Sequence, residues 1–170
     1  MKPPSRIFMT NRFSRIIKKI KMLPKATHSF LLTKLFCSQV KYARTSRIIL
    51  LEVEQNKVKL LIKNKKRVQN HIGGVHAIAV ALLAESATGI VFGMNLPDSC
   101  MPLLKSMTMN FQRRMQGDLT AIATISDEQI SLLNQEKGNM EIAVSITDES
   151  GEQPIECFMT WAWVTKKAKK

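Results

Sequence analysis

A glycine pair and one carboxylate distinguish residues 70–86, NHIGGVHAIAVALLAES. Gly73 and Gly74 allow close approach of a ligand to the backbone just before an alanine-rich run that predicts a helix. The first turn of a helix offers unpaired N–H groups and a positive dipole end, which can hold an oxyanion. Glu85 lies inside the same run, and an isolated buried carboxylate is costly unless it is hydrogen-bonded or used in chemistry. The competing interpretation is that Glu85 only bonds a neighbouring backbone group.

The spacing of His76 and Glu85 determines what kind of site can form. Nine helical residues advance about 13 Å along the axis and turn the side chains to opposite sides, so one chain cannot bring the two together. Two copies with antiparallel central helices would place Glu85 of one chain near residues 74–77 of the other. The spacing therefore predicts a homo-oligomer with two composite sites per dimer.

The elements around this stretch predict an α+β fold. Two amphipathic helices are expected first, over residues 11–23 with Asn11 as the cap, and over residues 29–38 with Phe30, Leu31, Leu35 and Phe36 as the apolar face. A long helix is expected from about residue 74 to 92. Short runs rich in β-branched residues predict strands over residues 48–53, 58–62, 103–111, 119–125, 140–147 and 155–164.

The long helix has no polar face, so it must be buried on most sides. Six strands must supply that cover, which requires an antiparallel sheet curled round the helix, the hotdog architecture. The chain is thus expected to divide into a basic helical extension packed on the domain, residues 1–45, a hotdog domain, residues 46–165, and a basic tail, residues 166–170.

Positive charge is concentrated in the first part of the chain. The net charge is +13, yet residues 1–70 carry 18 Lys and Arg against 2 Asp and Glu, and the remaining residues are slightly acidic. A solvated basic face and weak contact with a membrane surface both fit this field. The basic segment lacks a helix-turn-helix pair and is short of aromatic residues, so no specific nucleic acid is expected as a partner.

Targeting signals are sparse. The chain begins without a secretory pattern, although an Arg-rich start with no acidic residue before Glu52 also fits a mitochondrial transit peptide. No uninterrupted apolar run of about 18 residues predicts a membrane span. Cys37, Cys100 and Cys157 are too few for a disulfide framework and lack the neighbours of a nucleophile or metal site. We expect a cytoplasmic protein without a metal ion.

The residues named so far resemble those of the hotdog acyl-CoA thioesterases of the phenylacetate-pathway type. Asn70, Gly73, His76 and Glu85 match the family pattern of an Asn, a glycine-containing turn, a His at +6 and an acidic residue nine positions later in an Ala/Leu-rich helix. Ala77 departs from it, since Gly usually follows the His, and many relatives carry Asp where this chain has Glu85.

Two further segments extend the resemblance. Residues 107–121, MTMNFQRRMQGDLTA, are similar to the segment that follows the helix in these thioesterases. The helices before the first strand resemble the hotdog branch known as domain of unknown function 4442. The resemblance covers about residues 10–165.

The resemblance implies hydrolysis of an acyl-CoA thioester, with coenzyme A as part of the substrate and no separate cofactor. The Ala77 N–H and neighbouring donors would hold the oxyanion, and the partner subunit's Glu85 would activate water or attack directly to give an anhydride. Asn70 would position the water or the carbonyl group, and His76 would orient the turn. The active form would be a dimer or a dimer of dimers.

Several polar residues are candidates for substrate contact, each with a structural alternative. Ser86 and Thr88 either hydrogen-bond Glu85 or bond back to the preceding helical turn. Arg113 and Arg114 suit coenzyme A phosphates or are solvated surface charges. The basic run Lys63, Lys65, Lys66 and Arg67 has the same two interpretations. The competing function is a non-catalytic module that binds an acyl thioester or a lipid-like partner, held at membranes by its basic N-terminal helix.

Overall fold

Three helices precede the sheet in the computed structural model, which describes residues 11–166. They are α1 (Arg12–Lys21), α2 (Lys25–Gln39) and α3 (Lys41–Ser46). Asn11 caps α1 as predicted, because its side chain accepts a hydrogen bond from the Ser14 amide. The first ten residues of the predicted extension and the last four of the predicted tail lie outside the described residues.

Six strands form one antiparallel sheet in the order β1-β2-β4-β5-β6-β3. The two outer strands, β1 and β3, are therefore the sheet edges. The strands are β1 (Ile49–Val53), β2 (Lys57–Ile62), β3 (Cys100–Phe111), β4 (Leu119–Thr124), β5 (Lys137–Thr147) and β6 (Ile155–Thr165).

The central helix α4 (Ala77–Asn95) packs against β2, β3, β4, β5 and β6. Most of its residues are buried, so the prediction of a sheet curled round one apolar helix is confirmed and the fold is a hotdog. By length and composition α4 could also cross a membrane, but most of it is buried inside the fold, as in a core helix. A short helix, α5 (Asp127–Leu132), connects β4 and β5 behind a capping box of Ser126 and Gln129.

Helix α2 covers the β1 edge of the sheet. The Ser29 hydroxyl donates to the Leu50 carbonyl oxygen at 2.7 Å, and the Leu50 amide donates to the Thr33 hydroxyl at 2.9 Å. The buried residues of α2 are Leu32 and Cys37. The predicted apolar face is therefore wrong at Phe30, which is 67% exposed, whereas Phe36 packs against the core and Leu31 and Leu35 are partly buried.

Helix α1 fixes the extension to the C-terminal half of α4. The side-chain amide of Asn11 donates to the carbonyl oxygens of Gly93 and Leu96 at 2.6 and 2.7 Å. Ile17 is buried against the core, whereas the basic side chains Arg12, Arg15, Lys18 and Lys19 face solvent. The N-terminal half of α4 keeps Ala77 and Ile78 exposed.

Candidate active site

Asn70 holds the loop that precedes α4. Its side-chain oxygen accepts hydrogen bonds from the amides of Ile72 and Gly74, both at 3.1 Å. Gly73 has a φ of +80°, in the left-handed region that favours glycine. Gly74 has no such conformational need, and an added Cβ there would meet the Asn70 side chain at 3.8 Å, an ordinary contact. The predicted loop residues therefore lie together, and Asn70 organises them.

His76 begins the helix. Its Nδ1 atom accepts a hydrogen bond from the Ile78 amide at 3.1 Å, so His76 is the N-cap and α4 starts at Ala77, three residues later than expected. The left-handed turn at Gly73 delays the helix start. Ala77 is exposed, and among the described residues nothing accepts a hydrogen bond from its backbone N–H. This N–H group is open to a ligand at the positive end of α4.

Glu85 is a half-buried carboxylate on α4. Within residues 11–166 its carboxylate has no hydrogen-bond donor and no ion pair. Burial raises the pKa of this group above its ordinary value. A carboxylate of this kind can accept a proton from a bound water molecule more readily than an ordinary glutamate.

Glu85 borders an apolar cavity of about 360 Å³. The cavity lies between α4, the helices α1 and α2, and the strands β3 and β6. Its apolar walls include Phe13, Phe36, Val40, Gly89, Gly93 and Trp161. Ser86 is buried and also borders the cavity. Its position next to Glu85 is compatible with the predicted contact with substrate.

Thr88 serves the core instead. Its hydroxyl donates to the Ala84 carbonyl oxygen at 2.9 Å and accepts from the Trp161 indole at 2.9 Å. Thr88 is fully buried, and it does not line the apolar cavity. The bond back to the preceding turn, the structural alternative, is thus the observed one, and Thr88 leaves the set of substrate-contacting candidates.

Arg113 also has a structural role. Its guanidinium donates to both oxygens of Asp148, at 2.9 and 3.2 Å, and to the Ser150 hydroxyl at 2.8 Å. Burial alone would raise the pKa of Asp148, but hydrogen bonds, chiefly from Arg113, lower it well below its ordinary value. Arg113 thus forms an internal ion pair, which neither the predicted contact with coenzyme A phosphates nor the solvated-charge alternative describes. Arg114 is exposed and donates to the Ile72 carbonyl oxygen at 2.7 Å, beside the Gly73 turn.

A basic cleft lies near the same loop. It has a volume of about 310 Å³ and contains the cations Arg47, Lys63, Lys65 and Arg67. Three of these belong to the basic run that the sequence indicated, whereas Arg47 was missed because nothing in the local pattern predicts its left-handed φ of 54°. The side-chain amide of Asn64 connects the basic run to the loop, since it donates to the Gly73 carbonyl oxygen at 3.1 Å.

The three cysteines are free and buried. Burial raises the pKa of Cys157 to about 11 and also raises that of Cys37. A thiol with a raised pKa is a poor nucleophile at neutral pH, in line with the packing role expected for these two residues.

Comparison with known proteins agrees with this fold. A Pseudomonas aeruginosa protein described as "Probable Thioesterase" is 25% identical, with a TM-score of 0.73 over 85% of this chain and 97% of that one. A Haemophilus influenzae thioesterase is 18% identical, with a TM-score of 0.64 over 79% and 88% of the two chains. A variant of a Staphylococcus aureus thioesterase is 18% identical, with a TM-score of 0.63 over 73% and 98%.

No curated protein sequence matches the chain. A family model described as "Domain of unknown function (DUF4442)" matches residues 29–164, which include most of α2, all of α3 and α4, and the sheet except the last residue of β6. The resemblance inferred from the helices that precede the first strand is thereby confirmed, and the chain belongs to the DUF4442 family of hotdog-fold proteins.

Proposed function

We propose that the protein is a cytoplasmic hydrolase of acyl-CoA thioesters that acts at composite sites between two protomers. The observation that carries the proposal is Glu85, a half-buried carboxylate with a raised pKa and no described partner, at the edge of an apolar cavity. No residue between 11 and 166 bonds to this carboxylate, and a group of this kind is costly to keep without a function. The unpaired Ala77 amide supplies the complementary donor.

The proposed reaction is an addition followed by an elimination. Glu85 of one protomer removes a proton from water, and the hydroxide adds to the thioester carbonyl carbon. The oxyanion that forms accepts the Ala77 hydrogen bond of the other protomer at the start of α4. The intermediate then loses the coenzyme A thiolate, which takes the proton from Glu85. In the alternative route the Glu85 carboxylate itself adds to the carbonyl carbon, and the C–S bond breaks to expel the coenzyme A thiolate. Water then hydrolyses the resulting anhydride, which regenerates Glu85 and supplies the proton that the thiolate takes up.

Two features support the dimer that this reaction needs. The outer strand β3 is 12 residues long and exposes large apolar side chains, among them Leu103 and Met107. A long, unpaired and apolar edge strand favours pairing with a second chain. Ile78, on the uncovered half of α4, is 56% exposed and would be covered in an antiparallel pair of central helices. A dimer of dimers remains compatible with the same sites.

The phosphates of coenzyme A are proposed to bind the basic cleft and Arg114. None of the four cleft cations has an ion pair with another described residue, so their charge is available to an anion. Both groups lie beside the loop that leads to Ala77, because Asn64 and Arg114 donate to the carbonyl oxygens of Gly73 and Ile72. Arg and Lys side chains suit phosphate groups of this kind.

The decisive experiment measures thiol release from a series of acyl-CoA substrates. The Glu85→Gln variant preserves side-chain volume, so kcat should fall about a hundredfold or more while acyl-CoA binding and dimer formation persist. Asn70→Ala should also lower kcat, because the loop that precedes Ala77 loses its central acceptor. Glu141→Gln is the matched control, since Glu141 is exposed on β5. Unchanged turnover in Glu85→Gln would refute the proposed role.

A second candidate function, membrane-associated lipid binding without catalysis, is favoured by one surface. The turn between α1 and α2 exposes Met22 and Leu23, at 85% and 48%, and Phe30 on α2 is 67% exposed. We call these three residues the helix corner. Lys18, Lys19 and Lys25 flank it, which is the composition of a segment that binds an anionic lipid surface.

A further inference from the structure

We infer that the apolar cavity between α4 and the N-terminal helices holds the hydrocarbon chain of a medium-chain acyl thioester. The inference rests on the proposed function, because Glu85 marks the reacting end of the cavity. It adds a binding site to which the helical extension contributes directly. Phe13 of α1 and Phe36 of α2 form part of its wall.

The cavity wall changes from polar to apolar along α4. Glu85, Gly89 and Gly93 follow one another at four-residue spacing, so they lie in one row on the same face of the helix. The polar side chains of the wall, Glu85 and Ser86, are adjacent and lie at one end of this row. From that end the wall continues through two residues without side chains. This arrangement suits a ligand with one reactive polar end and a hydrocarbon tail.

The two glycines in the row have different explanations. An added Cβ at Gly89 would lie 2.9 Å from Cζ2 of Trp161, so packing accounts for glycine there. An added Cβ at Gly93 would have no atom within 4 Å, so packing does not account for it. Glycine in a helix interior is destabilising relative to alanine. The φ of Gly93 is not in the left-handed region, so the backbone conformation does not require glycine there either. Its effect here is to leave space at the far end of the cavity.

The geometry sets the length of the chain. Glu85 and Gly93 are separated by about 12 Å along the helix axis. An extended carbon chain advances about 1.2 Å per bond, as in a fully extended backbone. The row therefore spans about ten bonds and matches an acyl chain of about ten or eleven carbons. Burial of each methylene group should raise kcat/KM about fourfold up to that length, with little gain beyond it.

The test compares substrate length profiles of three full-length variants, with acyl-CoA substrates from acetyl to palmitoyl. Gly93→Leu fills the far end of the cavity and should lower kcat/KM for decanoyl-CoA at least tenfold while leaving butyryl-CoA within twofold. Phe36→Ala enlarges the cavity and should move the optimum to longer chains. Tyr42→Ala is the matched aromatic control on the neighbouring helix α3, because Tyr42 is exposed and does not line the cavity.

Binding of decanoyl-CoA to each variant, measured by calorimetry, separates this inference from the proposed hydrolase. Hydrolysis with the same length profile in Gly93→Leu and the wild type would overturn the cavity assignment and keep the hydrolase. Weaker decanoyl-CoA binding in Gly93→Leu, in a protein that hydrolyses nothing, would support the cavity and refute the hydrolase. Melting temperatures confirm that each variant is folded, and Gly93→Ala replaces Gly93→Leu should the larger side chain unfold the protein.

Discussion

Glu85 should give the proposed hydrolysis a distinctive pH dependence. The reaction requires the ionised carboxylate, and burial raises its pKa, so kcat should rise with pH through a value above the ordinary glutamate pKa of about 4.3. The unfolded chain ionises first, so ionised Glu85 lowers the stability of the fold as the pH rises through that window. Glu85→Gln should therefore keep or raise the melting temperature at pH 7. A variant that loses activity and melting temperature together would indicate a structural glutamate.

Asp148 should affect stability with the opposite pH dependence to Glu85. Its buried carboxylate is held by Arg113 and has a lowered pKa, so it stabilises the fold above about pH 3.9 and loses that effect as the pH falls toward the lowered value. Asp148→Asn should lower the free energy of unfolding at pH 7 by about 3 kcal/mol in urea titrations. Asp98→Asn, which breaks an exposed pair with Arg15, should cost under about 1 kcal/mol. Equal losses in the two variants would contradict this assignment.

At the scale of elements, the helix corner decides between the two candidate functions. If Met22, Leu23 and Phe30 dock on a membrane, the protein should bind anionic vesicles with an affinity that falls steeply with salt. Flotation with phosphatidylserine vesicles at two salt concentrations measures this, and Phe30→Asp should weaken binding. Absence of binding, or binding that salt does not change, would leave α1 and α2 with their packing role alone.

Elements with a strong local signal were predictable from the sequence. Asn11 marks the start of α1, and the alanine-rich run marks α4. The sequence placed the starts of β3 and β5 three residues too late. Pro102 lies inside β3, where an edge strand tolerates proline because that N–H is not needed for pairing. Gly138 lies inside β5, where it leaves room for the Trp163 ring, which an added Cβ would meet.

The candidate site was predictable only where neighbours in the chain are also neighbours in space. The loop from Asn70 to His76 is local, so its residues were found together. Arg113 and Asp148 are 35 residues apart, and their contact depends on how two turns meet in the fold. Thr88 faces Trp161 across the core for the same reason. Residue types and periodicity can be read from the chain itself. Which side chains keep an unoccupied hydrogen-bonding group depends on the sheet topology.

At the scale of the whole molecule, activity should require at least a dimer. Light scattering should give twice or four times the chain mass, and Leu103→Lys with Met107→Lys should give a monomer without thioesterase activity, because β3 would carry charge at the pairing edge. Leu51→Lys is the matched control, since Leu51 is exposed on β1. A monomer that keeps full activity would refute the composite site.

The hydrogen bonds from Ser29 and Thr33 to Leu50 have a consequence for growth of the assembly. In polymer chemistry a unit with two reactive ends extends without limit, whereas a unit with one reactive end stops at a pair. The β1 edge has its Leu50 groups occupied by α2, and no described residue pairs with the outer edge of β3. If two chains pair through β3 as proposed, the assembly should stop at that pair, because two side-chain hydroxyls on a preceding helix block the other edge and protect the protein from forming a fibre.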